Sequence, residues 1–326
     1  MKSIFRRWRA LWNPDMYHGW GKRKSYFEGW YFKVVSRERD GALAIIPGIS
    51  HDAEGTPHAF IQVMDGLSRK ATYHEFSADE FRPSPHRFEL DLAGNFFSPN
   101  RLSLNLTGLC GELELHDIYP WPSRLLAPGI MGWYSFVPFM ECYHGVVSVD
   151  HRLSGQLNVE GKEIDFSGGK GYIEKDWGRS FPSAWIWMQT NDFGECERTS
   201  LMASVANIPW VGSSFVGFIV GFLLEGHLYE FATYNRSAMS INISGREVHL
   251  IFRRKQLELR LVAHQAEGTP LIAPIEGAMA GKVNESLTAR VEVELRRNGK
   301  VVFQKTGHTA GMEMAGEIDT LLRAGS

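Results

Sequence analysis

The chain lacks a dominant charge of one sign, and it lacks long uninterrupted hydrophobic runs. Its 326 residues carry 35 Lys and Arg against 37 Asp and Glu, a formal net charge of -2. That balance excludes the basic footprint on which broad nucleic-acid binding depends. The most membrane-like stretch is VGSSFVGFIVGFLLEG, Val211–Gly226. Glycines interrupt it, and its apolar run falls short of the ~20 residues a spanning helix takes. It reads as a buried strand or pocket wall. Cysteine is scarce: Cys110, Cys142 and Cys196 are far apart and have neither zinc-like spacing nor a close pair. Such thiols fit the reducing cytoplasm, with contact at the inner face of a membrane as the peripheral alternative. There is no P-loop, no GxGxxG opening a βαβ unit, no HExxH and no GxSxG elbow. No metal and no cofactor are expected. His51 and His58 flank Asp52 on what reads as a solvated Gly/Pro loop.

The basic opening MKSIFRRWRALWNPDM has no apolar core or cleavage site of a secretory signal. Ile4, Phe5, Trp8, Leu11 and Trp12 share one helical face, with Arg6, Arg7 and Arg9 around it. This segment is expected either to dock on the protein's own body or to act as a short interfacial anchor.

Aromatic residues are plentiful, with 20 Phe, 10 Tyr and 10 Trp. They suit a β-rich core and also a large apolar ligand site. The dominant local period is two. RLSLNLTG sets Leu102, Leu104 and Leu106 on one face, and KQLELRLVAHQ does the same with Leu257, Leu259 and Leu261. ARVEVELRRNGKVVFQK alternates Val291, Val293 and Leu295 with glutamates, then turns at Asn298–Gly299, a hairpin signal. EMAGEIDTLLRA reads as a short closing helix. The expected fold is all-β, with tandem lipocalin-like barrels or curved β-sandwich domains and short terminal helices. A break at the Gly168–Gly169 pair divides the chain into an N-terminal segment (1–24), a first β domain (25–167) and a second (168–326). SYFEGWYFKV and GYIEKDWGRSFPSAWIWMQ then open the two halves in related language.

Four segments, in order, resemble the tocopherol cyclase family. They are MYHGW with YFEGWYFKV, then MGWYSFVPFMECYHGVVSVDHRLSG (Met131–Gly155), GYIEKDWGRSFPSAWIWMQTNDF (Gly171–Phe193) and GFLLEGHLYEFATYN (Gly221–Asn235). The resemblance spans roughly residues 16–320. It implies a tandem lipocalin-like protein acting on a prenylated aromatic or other isoprenoid, with no redox cofactor. Plant members close the chromanol ring of tocopherols from prenylated hydroquinones. The family string resembles EKNWG, and here Asp176 stands at the Asn position, placing a second carboxyl near Glu174.

Ring closure of that kind protonates an alkene, captures the tertiary cation with a phenol oxygen and removes the phenol proton. It needs an acid, electron-rich faces and a proton acceptor. Glu174 or Asp176 is the expected acid; on a strand the two share a face. Glu28, set among apolar neighbours, is the second acidic candidate, with Lys33, Arg179 or His144 as its expected partner if buried. His144 is the expected acceptor. Trp30, Trp133, Tyr143, Trp177, Trp185, Trp187 and Tyr229 are the candidate pocket walls, and Gln189 and Asn191 candidate donors to the phenol oxygen. Core packing competes with each of these roles. A noncatalytic isoprenoid carrier and a related hydratase or isomerase stand as alternative functions. Oligomeric state is left open.

Overall fold

The computed structural model describes residues 2–322, without the side chains of residues 2–5 and 7. The part of the expected N-terminal face made by Ile4, Phe5 and Arg7 therefore lies outside the described residues. Helix α1 (Lys2–Leu11) ends where Asn13 caps it: its backbone N–H donates to Ala10 O at 3.0 Å and its amide to Arg9 O at 2.8 Å. Pro14 follows and cannot continue a helix.

The chain forms two compact units. The first comprises residues 1–181 and 271–282, the second 182–270 and 283–326. In the first unit, strands β1 (Tyr26–Val35), β2 (Ala42–His51), β3 (Pro57–Asp65) and β4 (Lys70–Phe76) form a meander. The chain continues through β5 (Phe81–Pro83), β6 (Leu90–Leu92), β7 (Asn95–Phe97), β8 (Arg101–Leu106) and β9 (Leu109–Tyr119). Then come the long β10 (Cys142–Val159), β11 (Lys162–Asp165) and β12 (Lys170–Gly178). The sheet runs β4-β3-β2-β1-β12-β10-β9-β8-β7-β6-β5, with β11 paired to β10. It is a curled, open half-barrel, the partial-barrel form of the expected all-β fold. Its concave core takes alternate residues: Trp30, Phe32 and Val34 from β1, Ile173 from β12, Leu102, Leu104 and Leu106 from β8.

The second sheet holds β13 (Ala184–Thr190), β14 (Ser200–Trp210), β15 (Ser213–Leu224), β16 (His227–Ala232), β17 (Ala238–Ser244), β18 (Glu247–Arg254) and β19 (Leu257–His264). It adds β20 (Thr269–Ile275), β21 (Ala278–Arg297) and β22 (Lys300–Gly316). The membrane-like run is β15, a strand as expected, and no described helix is long and apolar enough to cross a membrane. Asn298 and Gly299 turn β21 into β22 with φ of 53° and 77°, the left-handed pair a two-residue hairpin requires. The closing helix is shorter than expected: residues 313–316 stay in β22, and α2 covers only Asp319–Leu322 among the described residues.

The units divide after Phe181, not at residue 167. The glycine pair that suggests a linker is a tight turn inside the first unit: Gly168 N–H donates to Leu153 O and Gly169 N–H to Phe166 O. It feeds β12, whose two edges are taken by β1 and β10.

Lys175 of β12 points into the core of the first unit, where its Nζ meets Glu28 Oε1 at 2.5 Å with both side chains fully buried. This ion pair ties down the segment after α1. Lys175 donates to the carbonyls of Pro14 and Met16 and to His18 Nδ1, while Glu28 accepts from the backbone N–H groups of His18 and Gly19 and from Tyr26 OH. The Trp30 and Trp177 rings each lie 4.7 Å from the ammonium. Burial alone would raise the Glu28 pKa, but the nearby Lys175 charge and the donors around it hold it low. Breaking one side of such a pair leaves a buried charge without its counter-ion, a cost of about 3–5 kcal/mol. Urea denaturation of Lys175→Met should show a loss of that size, and adding Glu28→Gln should recover much of it. A loss under about 1 kcal/mol for the single substitution would mean the pair does not hold this end of the core.

Candidate active site

The period of two on β12 separates its charges. Lys175 and Trp177 face the core with Ile173; Tyr172, Glu174 and Asp176 face the other way. The neighbouring strands complete that second face. Tyr31 of β1 lies opposite Glu174, and His144 of β10 lies opposite Asp176. Tyr172 and Glu174 are buried, while His144 and Asp176 are partly so.

Here the His144 ring bridges the two carboxylates. Nδ1 is 2.8 Å from Asp176 Oδ1, and Nε2 is 3.5 Å from Glu174 Oε2. Tyr172 OH donates to Glu174 Oε2 at 2.6 Å. Burial by itself would lower the His144 pKa; Asp176 and then Glu174 outweigh it and raise it to about 9. The imidazole is a cation at neutral pH, set between two acids that share its face. Burial, then the Glu174 charge, pushes the Tyr172 phenol well above its ordinary value, so it remains a donor. Cys142 Sγ lies 3.9 Å from Asp176 Oδ1, and burial next to that charge keeps it a thiol. The ligand atoms of His144, Glu174 and Asp176 all lie within 4.8 Å of one another, so these three could also hold a small divalent cation.

Glu174, Asp176 and His144 are therefore brought together as a cluster. Arg179 is not part of it: its guanidinium pairs with Glu276 at 2.6 Å. Trp177 lies on the opposite face from the carboxylates, stacked on His18 at 4.1 Å and on Tyr143 at 5.5 Å. Tyr143 also donates from its hydroxyl to Val137 O at 2.5 Å. Trp30 is stacked on Phe88 at 5.1 Å in the core, and Glu28 is engaged there by Lys175 rather than by Lys33, Arg179 or His144. Trp133 sits in a 3-10 turn over Gly132–Phe136, largely exposed and stacked on Tyr134. Asp52 closes its own turn, accepting from the N–H groups of Gly55 and Thr56, and His58 pairs with Tyr73 OH.

The remaining candidates belong to the second unit. Trp185, Trp187 and Gln189 occupy the face of β13 opposite that unit's core residues Ile186 and Met188, and Trp187, Gln189 and Asn191 are buried. Trp185 Nε1 donates to Glu313 Oε2 at 2.8 Å, and Glu313 lies opposite the buried Glu285. Tyr229 is taken up by Arg297, which donates to its hydroxyl at 2.9 Å. A separate cavity of about 120 Å³ in this unit is lined by Gln265, Asn284, Ser286, Met312 and Met314 and includes none of the candidate residues.

Sequence reasoning missed Tyr172, Lys175 as the partner of Glu28, and the Glu285–Glu313 pair. Tyr172 was within reach, since it stands two positions before Glu174 on the same strand. The others depend on strand register across long separations.

The chain builds two β units and carries a carboxylate–imidazole cluster on β12, an interior strand of the first sheet. The family model described as Tocopherol cyclase-like matches residues 109–316, more than half of the chain, and the chain belongs to that family. The probable chloroplastic tocopherol cyclase of Oryza sativa subsp. japonica is 22% identical over 377 residues, covering 94% of this chain and 79% of that protein. The chloroplastic tocopherol cyclase of Zea mays is 22% identical over 227 residues, covering 63% of this chain and 46% of its own length. Among solved structures, a putative AttH from Nitrosomonas europaea matches with a TM-score of 0.52 at 17% identity, over 89% of this chain and 92% of that one. CghA crystallised with Sch210972 matches with a TM-score of 0.53 at 10% identity, over 89% and 87%. At these identities the two structures share a fold with this chain.

The His144 arrangement carries a stability signature. Its folded pKa of about 9 lies above the ordinary imidazole value of 6.5. The stabilisation it contributes is thus fully present below about pH 6.5 and is lost as pH rises through about 9. Urea midpoints for the wild type should fall across that window relative to His144→Gln, whose profile should be flatter. Parallel profiles would remove the imidazolium from the cluster.

Proposed function

We propose that the protein closes a ring on a prenylated hydroquinone, an isomerisation that moves protons without changing oxidation state. Glu174 is the acid. It gives a proton to the less substituted alkene carbon, the tertiary cation forms at the other, and the phenol oxygen makes the new C–O bond. The phenol proton then passes by way of Asp176 to the neutral His144 ring, which restores the imidazolium and both carboxylates. Because His144 begins as a cation, it accepts the returning proton only after handing its own to Glu174. Tyr172 and His144 fix the orientation of the Glu174 carboxyl, which is how a positioned group becomes an efficient acid. Tyr31, opposite Glu174 in the strand register, is an aromatic candidate for facing the cation.

The observation that carries this reading is the His144–Glu174–Asp176 cluster itself, with Tyr172 bonded to the acid, inside the segment matched to the family. The relatives' names supply the reaction class, and the cluster supplies groups suited to it.

Anaerobic incubation with a panel of prenylated benzoquinols, read by chromatography and mass spectrometry, should yield an enzyme-dependent product of unchanged mass. Glu174→Gln should fold and lose about 10²–10⁴-fold in turnover, the range general-acid contributions span. Full turnover in folded Glu174→Gln would remove Glu174 as the acid. Quinol retained unchanged by the wild type would favour a carrier, and incorporation of solvent oxygen a hydratase.

A further inference from the structure

The first unit exposes an apolar surface that the chemistry above does not use. It is built by α1 and the segment from Pro120 to Met140, joined to each other through Trp12. The Trp12 indole donates to Leu125 O at 3.2 Å and packs against Phe136 at 5.7 Å and Trp8 at 5.0 Å. Around this joint Leu125 is 77% exposed, Leu126 76%, Trp8 66% and Phe139 59%. Large apolar side chains at this exposure, gathered at the joint of two segments, mark an interaction surface rather than scattered surface residues.

Within the two segments the charged residues of the sequence are all basic. The sequence of α1 carries Lys2, Arg6, Arg7 and Arg9 and no acid, and residues 118–140 carry Arg124 as their sole charged residue. This stands against a chain whose net charge is -2. Tryptophan, leucine and phenylalanine interspersed in sequence with arginine is the composition of a segment that lies in a bilayer interface, with its apolar side chains among the acyl chains and its cations at anionic headgroups.

We infer that α1 and the 120–140 segment together form a docking surface for an anionic lipid bilayer. The surface is continuous with the candidate site. Met131 Sδ accepts from the His144 backbone N–H, and the Tyr143 hydroxyl holds Val137 O, so the strand that presents His144 is anchored to the lipid-facing segment on its N-terminal side. An apolar substrate dissolved in the bilayer would then meet the protein at the end nearest the cluster.

The test is flotation of the full chain with vesicles of phosphatidylcholine alone and of phosphatidylcholine with 30% phosphatidylglycerol, at low and high salt. Binding should appear on the anionic vesicles and weaken with salt. The double substitution Leu125→Asp, Leu126→Asp, at side chains too exposed to hold the fold, should lower partitioning at least tenfold, and Arg9→Glu should lower it on anionic vesicles only. Either no binding of the wild type to anionic vesicles, or equal binding of the double variant, overturns the inference. So does a dimer in solution that the double variant dissociates while vesicle binding is absent; the surface would then belong to a second copy. Vesicle binding is read without turnover, so its failure leaves the ring-closure reading standing, and absence of turnover leaves the docking surface standing.

Discussion

The Lys175–Glu28 ion pair is the contact on which the organisation of the first unit turns. Two full charges buried at 2.5 Å are expensive to desolvate, and the structure offsets that cost by saturating both. Lys175 finds carbonyls and an imidazole nitrogen; Glu28 finds two backbone donors and a phenol. His18 completes the arrangement as a neutral ring. Burial and the Lys175 charge lower its pKa to about 4, so Nδ1 is free to accept from the ammonium while Nε2 donates to Ala10 O. Residues 14–19 are thus held by charge chemistry rather than by secondary structure. Helix α1 inherits its position from them, because it ends at the cap immediately before.

A strand has only two faces, and fixing Lys175 inward leaves no choice for its neighbours. Glu174 and Asp176 must point away from the core, toward His144 on β10 and Tyr31 on β1. The inward pair therefore sets the register and orientation of the outward cluster. The same alternation explains why charge could be packed so densely along EKDWG: successive residues serve different environments, and Lys175 neutralises Glu28 without approaching Glu174. An extra residue inserted in β12 would exchange the two sets and leave both charge systems without their partners.

Much of this was legible in the sequence, and the limits have a physical cause. Alternating leucines and valines announced strands because a half-buried sheet imposes a period of two, and Asn298–Gly299 announced its hairpin because few residue pairs tolerate left-handed backbone. The shared face of Glu174 and Asp176 followed from spacing alone. That same spacing puts Trp177 on the other face, and its attraction as a ring beside two acids came from proximity along the chain rather than direction. Glu28 and Lys175 are 147 positions apart, and nothing local to either names the other. Their meeting rests on the pairing of β1 with β12. His144 joins the cluster through the β10–β12 register, which contains irregular shifts beyond Val146 that no repeat pattern reveals. The Gly168–Gly169 pair looked like a linker because glycine marks both linkers and tight turns; only the two flanking hydrogen bonds decide which.

The same charge logic bears on Asp176, which stands where the family string that this chain resembles has Asn. An amide at that position would accept a hydrogen bond from Nδ1 but would carry no charge to oppose the burial of an imidazolium. His144 would then depend on Glu174 alone, and the ion pair at 3.5 Å is the longer of the two. Asp176 therefore does more than add a carboxyl beside Glu174: as the larger of the two electrostatic contributions, it keeps the ring between them charged. A cation in that place lets two acids occupy one strand face, each within reach of a proton that the other can share. The proton return proposed above rests on this triad, and Asp176 is the larger of the two charges acting on its central member.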